Sequence, residues 1–304
     1  MRVIITGASG FVGQNLSSYL INKGDSIQSL SLRDQAWKKN FPYDADALIH
    51  LAGKAHDTSN TSSAAEYFLI NRDLTITLFN EFLRSNIRDF FFFSSVKAVA
   101  NTVVGVLKED IVPNAYTPYG QSKLQAEQYL LSQELPADKR LFIIRPCMIH
   151  GPGNKGNLNL LYNIVEKGIP WPLASFENSR SFLSIDNLSY LVFQMLNKET
   201  LSSGVYNFAD DESLSTNELV KLIAETLGEK SKFVSIPVGL IKTVVKIGDF
   251  LPLPLNSERL RKLTESYVVS NKKIKLALGI DQLPLTAKQG LQVTIQSFIK
   301  KNHQ

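Results

Sequence analysis

The chain has 304 residues, of which 44% are hydrophobic and 20% are charged, and its formal net charge is +5. These proportions exclude a disordered chain, and the length allows two modest domains or one large α/β unit. The small positive charge suits an anionic ligand, but no block of Lys and Arg marks a nucleic-acid tract, so no nucleic-acid partner is expected. Cys147 is the only cysteine, which excludes an internal disulfide and a cysteine-based zinc site, and no metal site is expected.

No stretch of about 18 residues is free of charge, so no membrane span is predicted. The chain reaches a glycine turn at Gly7, too early for the apolar core of a signal peptide, and a cytoplasmic location is expected. The apolar segment 238–255 contains Lys242, Lys246 and Asp249. This pattern favours an amphipathic helix packed on the protein over contact with a membrane.

Strand-like and helix-like patterns alternate through the first half of the chain. The predicted strands lie at 3–5, 27–32, 47–51, 90–93 and 141–144, and the predicted helices at 11–23, 64–84 and 119–134. Such alternation predicts βαβ crossovers and a mostly parallel sheet. The strands are continuously apolar, which indicates that the sheet is buried on both faces.

The regular alternation of strand and helix patterns stops after Pro146, where a loop rich in glycine and proline follows. We therefore expect a first domain over residues 1–150 and a second region over 151–304. A later strand near 204–208 is expected to return to the first sheet. Helices are predicted in the second region near 186–197, 215–227 and 237–249.

A glycine motif, Gly7-Ala8-Ser9-Gly10-Phe11-Val12-Gly13, connects the first strand to the first helix. Gly7 permits a tight turn, Gly10 lets the backbone approach a pyrophosphate, and Gly13 lets the helix press on the strand. Free N–H groups at the helix start then bind phosphate. The motif predicts a dinucleotide site that includes Phe11 and Val12. The expected fold class is α/β, a Rossmann-type doubly wound parallel sheet with a smaller C-terminal substrate-binding domain.

Tyr119 and Lys123 are four residues apart at the start of a predicted helix, which places them on one helix face. A nearby ammonium favours the tyrosinate and is expected to lower the pKa of the phenol toward neutrality. Such a tyrosine can transfer a proton while a nicotinamide transfers a hydride. Tyr116 is close in sequence, but Gly120 stands four residues beyond it, so it lacks the lysine.

Two serines, Ser94 and Ser95, end the fourth predicted strand. In a doubly wound sheet the carboxyl ends of the strands line the ligand crevice. A hydroxyl at this place can hydrogen-bond a substrate oxygen.

Nearly end to end, the chain resembles the extended short-chain dehydrogenases/reductases of the nucleotide-sugar epimerase/dehydratase family. Besides the motifs above, the resemblance includes Asn71 and the runs His50-Leu51-Ala52-Gly53, Arg145-Pro146-Cys147-Met148-Ile149-His150-Gly151-Pro152-Gly153 and Arg180-Ser181-Phe182-Leu183-Ser184-Ile185-Asp186-Asn187-Leu188. The resemblance implies that Ser95, Tyr119 and Lys123 form the catalytic set, and the spacing to the tyrosine favours Ser95 over Ser94. It also implies cofactor contacts from Leu51, Ala52, Gly53, Tyr119, Lys123 and Pro146.

The resemblance further implies that the C-terminal region holds the nucleoside diphosphate of a UDP-sugar. Arg180 matches the diphosphate-binding arginine of the family best, and Arg259 or Arg261 is a candidate for a second. Lys155 and Asn157, in the loop after the fifth strand, are further candidates for substrate contact. Helices of this fold often pair, so a homodimer is considered by analogy.

Two departures from the family pattern bear on the reaction. The 4,6-dehydratases carry an Asp-Glu pair directly after the catalytic hydroxyl residue, whereas this chain has Val96 and Lys97, so dehydration is not expected. NAD-preferring members place an acid at the end of the second strand, whereas this chain has Ser31 and, two residues on, Arg33. Arg33 can pair with a 2′-phosphate, so NADP(H) is expected to be preferred, with NAD(H) as the alternative.

The span between Arg33 and Asp46 is short, so the helix expected between the second and third strands is missing or shrunken and the adenine pocket is open. Within the family, the runs Ser94-Ser95-Val96-Lys97 and Gly151-Pro152-Gly153-Asn154-Lys155-Gly156-Asn157 most resemble bacterial UDP-N-acetyl-6-deoxyhexosulose 4-reductases and their 4-epimerase relatives, which serve O-antigen and capsule synthesis. The expected reaction is NADPH-dependent 4-keto reduction of a UDP-linked 6-deoxy-N-acetylhexosulose. The alternatives are an NAD-dependent UDP-hexose 4-epimerase and a non-catalytic NAD(P)-sensing protein; the retained Tyr119/Lys123 pair argues against the latter.

Overall fold

The structure is a computed structural model that describes residues 1–34, 36–54, 63–154, 157–248 and 256–302. Its strands are β1 Arg2–Thr6, β2 Ser26–Leu30, β3 Ala47–His50, β4 Asp89–Phe93, β5 Val106–Leu107, β6 Arg140–Pro146, β7 Met148–His150, β8 Arg180–Ser184, β9 Gly204–Phe208, β10 Ser213–Leu214 and β11 Val268–Val269. Its α-helices are α1 Phe11–Asn22, α2 Ala64–Phe68, α3 Leu74–Leu83, α4 Pro118–Leu131, α5 Asn157–Glu166, α6 Ile185–Asn197, α7 Thr216–Leu227, α8 Val238–Gly248, α9 Ser257–Thr264, α10 Lys272–Leu278 and α11 Ala287–Asn302.

Six parallel strands form the central sheet in the order β2-β1-β3-β4-β6-β9. Successive residues of β1 face opposite sides, so Val3 and Ile5 join one core cluster while Ile4 joins another. Both faces of the sheet are therefore buried at β1, whereas the edge strand β2 is mostly exposed, so the predicted burial on both faces does not extend to it. The predicted α/β, Rossmann-type fold class is confirmed. The strand order reverses at β1, and in such sheets ligands bind beside the point of reversal.

The crossing from β2 to β3 consists of turns and extended chain, with no helix in its described residues 31–34 and 36–46. Trp37 and Phe41 are buried and pack with Leu30, Leu48 and Phe79, so aromatic side chains cover this face of the sheet where a helix would otherwise lie. After this crossing the chain enters β3, which pairs with β1 and not with the outer edge of β2. The half of the sheet beyond β1 is consequently a single strand wide.

The strands and helices differ from the predicted ones in several places, and the second half of the chain contains elements that were not predicted, among them β7, β8, β10, α5, α9, α10 and α11. The predicted helix over 64–84 is divided into α2 and α3 by a π-helical turn, Leu69–Asp73. The short strands β5 and β11 pair with each other across a long sequence separation and were not predicted.

The C-terminal part adds a small sheet, β10-β8-β7, and its own apolar cluster around Trp171, Phe182 and Leu291. Strand β9 returns to the central sheet, where it pairs with β6 at the edge. Among the helices of the described residues, none combines the length and apolar character that a bilayer crossing requires.

Candidate active site

The glycine motif forms a tight loop between β1 and α1. Gly7 has φ +70°, and a Cβ there would lie 2.7 Å from the Ala52 backbone nitrogen. A Cβ on Gly13 would lie 2.3 Å from the Gly7 carbonyl oxygen. A larger residue at position 13 would therefore prevent the close approach of α1 to the loop. Gly10 is the N-cap of α1 and has no side chain to bind the first helical N–H groups. These N–H groups suit an anion such as a pyrophosphate.

A cavity of about 900 Å³ opens beside this loop, at the carboxyl ends of β1, β2 and β3. It is lined by the loop, the end of β2 and the residues after it, the residues after β3, α2 with the following turn, and the start of α3: Gly7, Ala8, Ser9, Gly10, Ser29, Leu30, Ser31, Leu32, Arg33, Leu51, Ala52, Gly53, Lys54, Glu66, Ile70 and Leu74. Its position at the strand reversal, its volume and its glycine cradle fit a dinucleotide.

The cavity brings together six of the predicted cofactor residues: Gly7, Gly10, Arg33, Leu51, Ala52 and Gly53. The other predicted cofactor residues do not line it. The Phe11 ring instead lies close to Gly151, where an added Cβ would be 3.2 Å from it. Gly13 is buried under the loop, and Pro146 ends β6 and pairs with Phe208 of β9.

Asn71 connects the cavity wall to α4, a role that the sequence patterns did not identify. It is fully buried in the π-helical turn, where its Oδ1 accepts from the Lys54 backbone N–H (2.8 Å). Its Nδ2 donates to the Lys54 carbonyl (3.1 Å) and to the Ser122 hydroxyl (3.2 Å). The family resemblance includes Asn71 without giving it a role, and its polar neighbours Arg72 and Asp73 leave no local pattern that sets it apart.

His50 is the last residue of β3, and its buried imidazole contacts elements that line the site. Its Nδ1 lies 2.7 Å from the Thr6 hydroxyl and its Nε2 2.9 Å from the Thr75 hydroxyl. Burial, with a smaller contribution from the Lys123 charge, lowers the pKa of His50 to about 3. The imidazole is therefore neutral at physiological pH and holds β1 and α3 together.

Ser95, Tyr119 and Lys123, the predicted catalytic set, come together at the carboxyl end of β4. The Ser95 side chain hydrogen-bonds the Tyr119 phenol. The Lys123 ammonium donates to the Phe93 carbonyl at 2.9 Å, and a Cβ on Gly53 would lie 3.2 Å from it. The Lys123 ammonium therefore lies at the carboxyl end of β4, next to the two serines, and also beside the dinucleotide cavity.

The start of α4 is held against the loop after β4 by backbone packing. Thr117 caps the helix, since its hydroxyl accepts from the Gly120 N–H at 3.2 Å. A Cβ on Gly120 would lie 2.4 Å from the Lys97 carbonyl oxygen, so only glycine permits this approach. This contact brings Tyr119 within reach of Ser95.

Tyr119 has a raised pKa, so the prediction that Lys123 lowers it toward neutrality is wrong in this structure. Burial is the main cause, and the hydrogen bond from Ser95 opposes it. The Tyr67 ring packs edge-on against Tyr119, with ring centroids 6.0 Å apart, and its electrostatic interaction with Tyr119 also raises that pKa. The Lys123 ammonium is engaged by the Phe93 carbonyl instead. Tyr119 is consequently a protonated phenol at neutral pH.

The Lys123 side chain is buried, and burial lowers its pKa to about 8, with Glu127 opposing the shift. Glu127 follows one turn later on α4 and is itself buried against Arg145 of β6. Lys123 thus lies near the balance between its charged and neutral forms at physiological pH.

Arg180, the predicted diphosphate arginine, begins β8 and donates to the Lys262 carbonyl of α9. Burial lowers its pKa, and Glu265 opposes the shift. Lys155 lies outside the described residues. Asn157 begins α5 and Arg259 lies in α9, but their side chains also fall outside the described part of the chain.

These features define an α/β protein with a dinucleotide cavity next to a Ser-Tyr-Lys set. The family model of the NAD dependent epimerase/dehydratase family matches residues 3–209, and the chain belongs to that family. The predictions of an extended short-chain dehydrogenase/reductase and of an NAD(P)-dependent oxidoreductase are confirmed by this membership.

Named relatives match most of the chain or nearly all of it. It is 28% identical to a UDP-glucose 4-epimerase of Vibrio cholerae, over 99% of this chain and 96% of the relative. It is 24% identical to a UDP-2-acetamido-2,6-beta-L-arabino-hexul-4-ose reductase of Pseudomonas aeruginosa, over 79% of this chain and 61% of the relative. The solved structure of RMD from Pseudomonas aeruginosa complexed with NADPH has the same fold, with a TM-score of 0.77 at 22% identity over 99% of each chain.

Proposed function

We propose that the protein reduces the 4-keto group of a UDP-linked 6-deoxy-N-acetylhexosulose, using NADPH, in the synthesis of a bacterial surface polysaccharide. The observation that carries the choice of cofactor is the wall of the cavity at the end of β2. Ser31 and Arg33 line the cavity there, where NAD-preferring members of the family have a carboxylate. Glu66, the acidic residue among the described lining residues, is paired with Lys54 at 2.6 Å.

The raised pKa of Tyr119 supports reduction, because a protonated phenol can donate to the oxygen that forms at C4. Ser95, hydrogen-bonded to Tyr119, orients that oxygen. Gly7, Gly10, Leu51, Ala52, Gly53 and Arg33 would hold the dinucleotide, with Lys123 on its ribose. When bound, NADPH supplies the hydride. Arg180 holds the diphosphate and so fixes the sugar relative to Tyr119.

We expect tighter binding of NADPH than of NADH, with most of the difference lost in Arg33→Ala. A charge-assisted contact with the 2′-phosphate contributes roughly 1.5–3 kcal/mol, or about tenfold to a hundredfold in affinity. Titration calorimetry with both cofactors measures the ratio. Lys39→Ala removes a charge from an exposed residue of the same crossing that does not line the cavity, and it should leave the ratio unchanged. Equal affinities of the wild-type protein for NADPH and NADH would contradict the proposal.

A UDP-hexose 4-epimerase with NAD is the second candidate, because the Vibrio cholerae relative with that name matches nearly the full length of both chains. Product analysis with UDP-sugars separates the two. A reductase oxidises added NADPH in proportion to product. An epimerase purifies with NAD and interconverts UDP-sugars without added cofactor, and that result would replace the first proposal.

Arg180→Ala should weaken UDP binding about tenfold or more while NADPH affinity stays the same, because Arg180 lies away from the dinucleotide cavity. Arg180→Lys keeps the charge but not the forked donor geometry, so it should recover only part of the affinity. Calorimetry with UDP provides both values. If Arg180→Ala binds UDP as wild type does, the diphosphate contact belongs elsewhere, with Arg259 and Arg261 next to test.

A further inference from the structure

Lys97 lies between the predicted catalytic residues and Arg180. Its backbone N–H donates to the Ser95 hydroxyl at 3.2 Å, within a short 3₁₀ turn, Val96–Ala98. Its ammonium lies 4.0 Å from the centroid of the Tyr267 ring. Tyr267 in turn forms a β-bridge with Arg180. Lys97 thus connects the end of β4 to the start of β8.

The charged side chains that act on Lys97 come from other elements that converge on it. Arg180 begins β8, Arg261 and Lys262 belong to the last turn of α9, and Glu265 follows α9. Among the described residues, Glu265 is the one carboxylate in this group. Positive charge therefore exceeds negative charge around a partly buried ammonium, an arrangement that favours an anionic ligand.

The ammonium itself has donors to offer. It carries three N–H groups, and the acceptor that it reaches among the described residues is the Asn101 carbonyl, at 2.9 Å. The Tyr267 ring covers one side of it. Burial and the Arg180 charge lower the pKa of Lys97 to about 8, so a bound anion would stabilise the charged form.

We propose that Lys97 binds an anionic oxygen group at the sugar-proximal end of the substrate and, with Arg180, determines which nucleotide sugars bind. The proposal rests on the proposed function, in that the ligand is a nucleotide sugar. The anionic oxygens have two possible sources, the diphosphate itself or a carboxylate carried by the sugar.

The test is calorimetric binding of UDP, UDP-glucose and UDP-glucuronic acid to the wild type and to Lys97→Met, which keeps an unbranched side chain without the ammonium. We expect about tenfold weaker binding to Lys97→Met. An equal loss for all three ligands assigns the diphosphate, and a loss confined to UDP-glucuronic acid assigns the carboxylate. Lys242→Met, at an exposed position of α8, controls for the change in net charge and should bind all three as wild type does.

A second readout separates ligand binding from a structural role. Because Lys97 must be protonated to bind an anion, wild-type affinity should fall as the pH rises through about 8. In Lys97→Arg the guanidinium stays charged over about two pH units around that pKa. This variant should therefore bind the UDP ligands with an affinity that does not change between about pH 7 and pH 9. NADPH affinity should be unchanged in every variant.

If Lys97→Met binds all three ligands within about twofold of wild type, the inference is wrong although the proposed function stands. If the wild-type protein binds none of the three, both are wrong. A pH dependence that persists unchanged in Lys97→Arg also overturns the inference, because another group would then be titrating.

Discussion

Tyr119→Phe should lower kcat by about 10²-fold or more, the scale of a lost general acid. The substitution removes only the phenolic oxygen, which hydrogen-bonds Ser95, and leaves the ring in its edge-on contact with Tyr67. Folding and the dinucleotide cavity should therefore persist. Steady-state turnover of NADPH with a 4-keto substrate measures the loss, and calorimetry with NADPH and UDP checks that both still bind.

Tyr116→Phe is the matched control, because Tyr116 is 56% exposed and has Gly120, not a lysine, four residues on. It should keep wild-type turnover. Full activity in Tyr119→Phe, with a loss in Tyr116→Phe, would mean that Tyr116 is the proton donor. Ser95 would then not orient the substrate oxygen through its contact with Tyr119.

The core of the sheet could be predicted from the sequence because β1, β3, β4 and β6 contain short apolar runs, and the run Phe90–Phe93 is buried on both faces. The order of the strands could not, because no local pattern states that β3 lies beside β1 rather than outside β2. The pairing of Val106–Leu107 with Val268–Val269 is also invisible locally, since two residues carry no periodicity. Such features depend on tertiary packing.

The candidate site shows the same division. The glycine motif and the Tyr119/Lys123 spacing are local, so the sequence predicts them with their places on a loop and a helix. The raised pKa of Tyr119 arises from burial, and the Phe93 carbonyl that engages Lys123 comes from another element. Asn71 was likewise missed as a site residue because its partners, Lys54 and Ser122, are distant in sequence. Electrostatic environment requires the fold.

The largest effect on stability should come from the ion pair between Arg145 of β6 and Glu127 of α4. Arg145 is 4% exposed and Glu127 1%. The Arg145 Nε lies 3.1 Å from each carboxylate oxygen, and the Nη2 also donates to the carboxylate. The pair fixes α4 to the sheet one turn beyond Lys123, so it positions the helix that carries the predicted catalytic residues.

Arg145→Met or Glu127→Leu alone should lower the free energy of unfolding by about 3–5 kcal/mol, because each leaves a buried charge without its partner. The double variant should recover most of this loss, since well-packed apolar residues can replace a buried pair at little net cost. Urea denaturation of the wild type, both single variants and the double variant gives the coupling free energy as a double-mutant cycle. Losses that simply add in the double variant would mean that the two side chains stabilise the fold independently. In that case α4 would be held by its other contacts, such as the packing of Gly120 on the Lys97 carbonyl.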